Sequence, residues 1–269
     1  MNSPIIAPQG PRPDEFGLDR DYIERWSNTL FHFLCKYYWR IETLGLENVP
    51  QNGRAILVGN HRGFIPFDAI MTLHLVLKNT GRIPRFLVHP GLLKFRPIAK
   101  FITRFGGVLA CRENAARILD AEELLGILPE GVEGAFSLYR DAYKLLSFGR
   151  DDFVKMSLRH RAPIVPYVIV GSADALPIFA RIGWRCWKKR TLWPYLPIAM
   201  PMPMPAKWHM RFLAPINVHQ DYPPEAARDR TVVKAISLKV RTAMQGALDE
   251  MLARRLSIFW GSIFKSDNS

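Results

Sequence analysis

Cysteine is scarce in this chain: Cys35, Cys111 and Cys186 are the three among 269 residues. An odd, widely spaced set argues against a disulfide framework and a Cys-x-x-Cys metal site, and a reducing cytoplasm is the simplest setting. Long apolar runs are also missing. The best, Ala69–Leu77, contains His74 and falls far short of the roughly 18 residues a membrane-crossing helix needs. Residues 1 to 20 are rich in proline and charge and have no apolar stretch, so no secretory signal is expected there. No Gly-x-Ser-x-Gly occurs, which removes the nucleophile elbow of a lipid hydrolase. No segment repeats.

Acidic residues are few. Asp and Glu number 24 against 37 Lys and Arg, a formal charge of +13. So basic a chain favours an acidic partner, whether nucleic acid, anionic lipid headgroups or a phosphate-bearing substrate such as acyl-CoA. The basic residues are spread and interleaved with Trp and Pro, and no recognition motif accompanies them, so nucleic acid is not expected. Attraction to an anionic lipid surface is the simpler reading.

Apolar residues make up 48% of the chain, enough for a sizeable core. Residues 1–17 read as a disordered tail. Residues 18–40 read as an amphipathic helix, with Ile23, Trp26, Leu30, Leu34 and Tyr37 on one side; it either packs on the domain or lies in a membrane interface. From 41 to 225 strands and helices alternate. Strands are predicted at 55–58, 85–88, 126–129, 164–170 and 211–214. Helices are predicted at 66–76, 92–105, 113–125 and 152–159. This alternation predicts an α/β domain with helices covering a sheet. Residues 175–208 break the pattern. Trp184, Trp187, Trp193 and Trp208 mix there with Arg181, Arg185, Lys188, Lys189 and Arg190, and repeated prolines are expected to stop regular structure. Trp beside Lys and Arg suits a membrane interface, and a folded flap over the core is the alternative. Residues 226–269 give an amphipathic helix over 229–256, with Val232, Ile236, Ala243, Ala247, Met251 and Leu252 on its apolar side, and an apolar tail.

Four stretches carry chemistry. In residues 56–70, ILVGNHRGFIPFDAI, an apolar strand runs into Asn60 and His61, and Asp68 opens a helix. A carboxylate on one ring nitrogen leaves the other free as a base. No serine or cysteine nucleophile stands nearby, which favours direct attack by an acceptor hydroxyl on an activated acyl group. In residues 106–114, GGVLACREN, Arg112 sits where a strand gives way to a helix, a place suited to bidentate phosphate binding. In residues 127–134, ILPEGVEG, a strand ends in the tight turn Pro129-Glu130-Gly131, whose amides face an anion or whose carboxylate orders a hydroxyl. In residues 162–174 Pro163 and Pro166 mark the entry to a buried strand. Each also has a plain structural reading: a paired core histidine, a surface arginine, a turn and a core strand.

Together, and in this order, the four stretches resemble the lysophospholipid acyltransferase family, which includes the 1-acylglycerol-3-phosphate acyltransferases. Asn60, His61 and Asp68 match its first block, Arg112 its second, Pro129, Glu130 and Gly131 its third, and Pro163 to Val168 its fourth. Two positions depart from the pattern. Six residues separate His61 from Asp68 where four are usual, and Glu133 stands where the family often has a cation; Arg140, Lys144 and Arg150 are the candidates to compensate. The resemblance implies a single glycerolipid-acyltransferase-like α/β domain, a mostly parallel sheet flanked by helices, with interfacial N- and C-terminal helices. It implies transfer of a fatty acyl group from acyl-CoA or acyl-carrier protein to a hydroxyl of a lysophospholipid or related glycerolipid. His61 would be the general base and Asp68 its orienting partner. Asn60, Arg112, Pro129, Glu130 and Gly131 would bind substrate. It implies no metal, no cofactor beyond the acyl donor, and peripheral or monotopic attachment to membrane phospholipids on the cytoplasmic face. The alternative on the same fold is a catalytically inactive lipid- or membrane-binding protein.

Overall fold

The computed structural model describes residues 14–149, 151–183 and 195–264. Helix α1 (Arg20–Asn28) is followed by one short turn, α2 (Leu30–Phe33), and a π-helical turn over Leu34–Tyr38. Then come β1 (Glu42–Leu44), β2 (Ala55–Gly59), α3 (Phe67–Thr80), β3 (Arg85–Val88), α4 (Arg96–Arg104), β4 (Val108–Leu109), α5 (Arg112–Asp120), β5 (Leu124–Ile127) and α6 (Gly131–Ala135). The second half gives α7 (Asp152–His160), β6 (Ile164–Val170), α8 (Ser172–Ala175), β7 (Ile178–Ile182), β8 (Leu196–Ala199), β9 (His209–Phe212), α9 (Val218–Asp221) and the long helix α10 (Arg230–Ala253).

Seven strands form one sheet in the order β1-β9-β6-β2-β5-β3-β4. Every neighbouring pair is parallel except β6 with β9. Both faces are covered, so the central strands are apolar throughout rather than alternating with polar residues. All five residues of β2 and all seven of β6 are buried. Their side chains still alternate between two cores. Ile56 and Val58 join α5, α7 and α10 on one face, while Ala55 and Leu57 join α1, α3, Trp39 and Trp208 on the other. Gly59 is required by packing: a Cβ there would stand 2.2 Å from the Tyr167 ring on β6. Helix α3 stops at Gly81, which takes the left-handed conformation a helix end favours (φ 69°).

Several expectations are corrected. The helix over 20–40 is broken at Thr29 (φ −115°, ψ −96°). The break turns Phe31 into the core and leaves Leu30 and Tyr37 exposed, so the five apolar residues do not share one buried side. The helix over 92–105 is a 3-10 turn at Pro90–Leu93 followed by α4. The helix over 113–125 ends at Asp120, because Leu124 and Leu125 are needed in β5 beside β2. The last sheet strand lies at 209–212 rather than 211–214. Between 175 and 208 the prolines do not abolish structure. β7 and β8 pair antiparallel with Pro197 inside β8, in a two-stranded sheet where each strand has a free edge. Trp208 is core, stacked on Trp39 with centroids 4.5 Å apart. Trp184, Trp187, Trp193, Arg185, Lys188, Lys189 and Arg190 lie outside the described residues, as do Arg150, residues 1–13 and residues 265–269. The end of the supposed tail is docked: Asp14 pairs with Arg85, whose guanidinium sits over the Phe16 ring. The stripe on α10 buries Val233, Ile236, Val240, Met244, Ala247, Leu248 and Met251; Ala243 is exposed.

His74 fastens α3 to α1, with its Nδ1 2.7 Å from Ser27 Oγ. Burial lowers its pKa from 6.5 to about 4. The unfolded chain therefore binds a proton at this site between those values and the folded chain does not, so stability falls as pH drops from about 6.5 to 4. The loss from His74 is on the order of 3 kcal/mol at the lower end. Urea denaturation from pH 7 to pH 4 should show this slope, and His74→Asn, which keeps a partner for Ser27 and does not titrate, should remove the His74 share of it and leave that of His209, whose pKa burial also lowers to about 4.

Candidate active site

In a mostly parallel sheet the strand ends that point towards helix N-termini open onto the ligand crevice. Here β2 and its neighbour β5 end side by side and deliver His61 and Glu130. His61 Nδ1 lies 2.7 Å from Asp68 Oδ2. Asp68 also accepts from the Arg62 amide (3.0 Å, Oδ2) and the Ala69 amide (2.8 Å, Oδ1). With the carboxylate as acceptor of these bonds, the contact assigns the ring proton to Nδ1 of His61 and leaves Nε2 as acceptor. The His61 side chain is 15% exposed and that of Asp68 is fully buried. The longer spacing does not separate the pair. Gly63, at φ +94°, lets the chain loop out before Asp68 enters the first turn of α3.

His61 lines a cavity of about 1310 Å³. Its walls are mainly apolar and include Phe31, Leu73, Phe86, Phe101, Ile102 and Phe105. Pro129, Glu130 and Gly131 lie on the same wall as His61, and Arg112 lines the cavity too. Among the described residues no group of three His, Cys, Asp or Glu side chains is placed to hold a metal ion. The arrangement suits a base that works on a polar group at the edge of a large greasy space.

Comparison with known proteins agrees with this geometry. The acyltransferase family model matches residues 40–170. An uncharacterized protein of Mycobacterium tuberculosis is 34% identical over 259 residues, covering 92% of this chain and 72% of that protein. One of Mycobacterium leprae is 35% identical over 260 residues, covering 92% of this chain and 70% of its own. Residues 40–170 form an acyltransferase-family domain. The chloroplastic phytyl ester synthase 1 of Arabidopsis thaliana is 29% identical over 136 residues, 48% of this chain and 19% of that protein. These likenesses support acyl transfer as the general activity.

Within this acyltransferase domain, several expected substrate ligands have other partners. Asn60 is 1% exposed. Its Nδ2 donates to the Ile169 carbonyl (3.1 Å) and its Oδ1 accepts from the Ile169 amide (2.7 Å), extending the pairing of β2 with β6. The Glu130 carboxylate is engaged on all sides. It accepts from the amides of His61 (3.2 Å) and Leu146 (2.9 Å) and from Arg62 Nη1, 2.8 Å from each oxygen. Glu133 points to the hairpin, where it pairs with Arg181 (3.2 Å) and accepts from the Tyr195 hydroxyl (2.9 Å). Arg112 opens α5 beyond the edge strand β4, is 63% exposed, and pairs with Asp152 at 3.0 Å.

Sequence reading missed Arg62. Its guanidinium donates to Glu130, to the Ala142 carbonyl and to the Lys144 carbonyl (2.9 Å). The loop it grips is anchored from behind. The Tyr143 hydroxyl donates to Asp174, which also accepts from the Tyr139 hydroxyl (2.7 Å) and from Arg255 Nη1 (2.6 Å). Burial, with Asp174 beside it, pushes the Tyr143 pKa far up, so this phenol keeps its proton and remains a donor. A basic residue directly after the histidine was the one available signal, and the charge alone did not say that it turns inward.

The Arg62 side chain is 2% exposed and that of Glu130 is fully buried. Arg62→Met should therefore destabilise the protein by about 3–5 kcal/mol by stranding a buried carboxylate, and Arg62→Met with Glu130→Gln should recover much of that loss. Guanidinium denaturation of both variants measures it.

Proposed function

We propose that the protein moves a fatty acyl group from acyl-CoA or acyl-carrier protein to a hydroxyl of a lysophospholipid or related glycerolipid, with His61 as general base. The observation that carries the reading is the His61–Asp68 contact of 2.7 Å at the wall of an apolar cavity large enough for an acyl chain. His61 Nε2 takes the hydroxyl proton as the oxygen attacks the thioester carbon. The carbon–sulfur bond breaks, the proton passes to the departing thiolate, and Asp68 stabilises the imidazolium in between. No acyl-enzyme intermediate is required. Arg62 and Glu130 act through position, since their polar atoms hold the His61 backbone and the 142–146 loop.

The acceptor has a second candidate. Glu133 faces Arg181 rather than supplying a cation at the site, and the Arabidopsis relatives are named phytyl ester synthases. Both favour testing an uncharged long-chain alcohol beside the lysolipids. Thiol release from a panel of acyl-CoAs, with each acceptor in turn, should be acceptor-dependent. His61→Ala should lower the rate about 100- to 10,000-fold with the fold kept. Unchanged turnover in that variant would overturn the assignment.

Attachment to a membrane surface belongs to the same proposal. No helix among the described residues is long and apolar enough to cross a membrane. Three distant segments meet on one face instead. The Tyr38 hydroxyl donates to the Pro203 carbonyl (2.6 Å), Arg40 to the Phe259 carbonyl (2.9 Å), and the Lys207 amide to the Ile258 carbonyl (2.8 Å). Exposed Phe33, Tyr37, Met202, Leu256 and Trp260 border this junction, and the Arg40 guanidinium lies 5.1 Å from the Trp260 ring centroid. Aromatic residues beside cations suit the headgroup layer. The protein should float with anionic liposomes at low salt, and Trp260→Ser with Phe33→Ser should weaken that binding; full solubility of the wild type at low salt would count against attachment.

A further inference from the structure

The cavity that begins at His61 ends in a second chemistry. Its lining also includes Arg112 at the start of α5, Lys155 on α7, and Arg230 and Lys234 at the start of α10. Asp151 and Asp152 line it beside them. Asp152 faces Arg112 at 3.0 Å and Lys155 at 3.8 Å. Arg230 and Lys234 are exposed and have no ion-pair partner among the described residues. Their placement is locally unfavourable. Arg230 is the first residue of α10, where the helix dipole disfavours a cation. Lys234 is four residues on, so the two cations repel across one turn. Arg112 is likewise the first residue of α5. Asp229 caps α10, but its Oδ1 takes the amides of Thr231 and Val232. Arrangements that break local rules at the edge of a functional cavity are the places to look for a ligand.

Geometry selects between the two substrates. His61 follows β2 and Arg112 follows β4, three strand intervals apart in the sheet order. At 4.7–4.9 Å per interval the strand ends are roughly 14 Å apart. In a lysophosphatidate the phosphorus is about four bonds, or about 5 Å, from the reacting hydroxyl oxygen. In a phosphopantetheine thioester the nearest phosphorus is about fourteen bonds from the acyl carbon, about 16 Å when extended. We infer that Lys155, Arg230 and Lys234 bind the phosphates of the acyl donor rather than those of the acceptor. This rests on the acyl-transfer reading above and names the donor as a phosphorylated pantetheine thioester. Arg230 and Lys234 lie outside the residues matched by the acyltransferase family model, so the site combines that domain with the helix that follows it.

The test compares the wild type with R230E/K234E on three donors carrying one acyl chain: acyl-CoA, acyl-4′-phosphopantetheine and acyl-pantetheine, which has no phosphate. The variant should raise KM for acyl-CoA about tenfold or more, with kcat at saturation little changed, and KM for acyl-pantetheine should be the same in both proteins. A rise for acyl-CoA alone assigns the site to the nucleotide phosphates. An equal rise for acyl-phosphopantetheine assigns it to the phosphate of the arm, which carrier protein shares; both outcomes support the inference. The reversed charges suit a helix start, so the variant's Tm should match or exceed that of the wild type and separates lost binding from lost fold. An unchanged KM for acyl-CoA, or a rise in the KM of a phosphorylated acceptor instead, overturns the inference while the acyl-transfer reading stands. If no thioester is turned over, that reading fails, and calorimetry with coenzyme A still decides this one: binding by the wild type that the variant loses supports it, and no difference overturns it.

Discussion

A buried ion pair sets the geometry on which the candidate active site depends. Arg62 follows the proposed base directly in sequence, and its guanidinium is closed in by Glu130 and the carbonyls of His61, Ala142 and Lys144. Glu130 in turn receives the His61 amide. The ends of β2 and β5 are thus tied to each other and to the 142–146 loop through one group of hydrogen bonds. A buried pair of this kind contributes little net stability, because desolvation offsets its attraction. What it fixes is position. The ring of His61 can meet Asp68 at hydrogen-bond distance because its backbone is held from the opposite side.

The rest of the architecture follows from that anchor. Parallel strands bring His61 and the Pro-Glu-Gly turn to the same edge, where the helix N-termini also gather. On one side of this edge lie Phe31, Leu73, Phe101 and Phe105, which give the cavity its apolar volume. On the other stand the cations of α5, α7 and α10. The proposed acyl donor, with a long hydrocarbon chain, a reactive carbonyl and distant phosphates, has three parts with the same three requirements.

Much of this was legible in the sequence. The Asn60-His61 and Asp68 pattern picked out two side chains that the fold brings to hydrogen-bond distance, and the alternation of strands and helices pointed to the α/β class. The hydrogen-bond partners of Asn60 and Glu130 were not legible. A polar residue beside a histidine looks the same in sequence whether it faces substrate or another strand, and Asn60 binds Ile169, 109 residues away. Arg112 was found, but its distance from His61 is set by sheet order, which local pattern does not contain. The helix over 113–125 overran because Leu124 and Leu125 continue an apolar period while tertiary pairing with β2 claims them for a strand. Proline between 197 and 205 was read as a barrier to structure, yet a two-stranded sheet leaves room for Pro197 in one of its edges.

The central claim is that Asp68 holds His61 with the proton on Nδ1 and Nε2 free. The direct measurement is the tautomer of the His61 ring by ¹⁵N NMR of protein labelled at histidine, with the His61 signals identified by their loss in His61→Ala. The account expects a protonated Nδ1 and an unprotonated Nε2 above the ring's pKa, with that preference lost in Asp68→Asn. A His61 ring carrying its proton on Nε2 in the wild-type protein would contradict it.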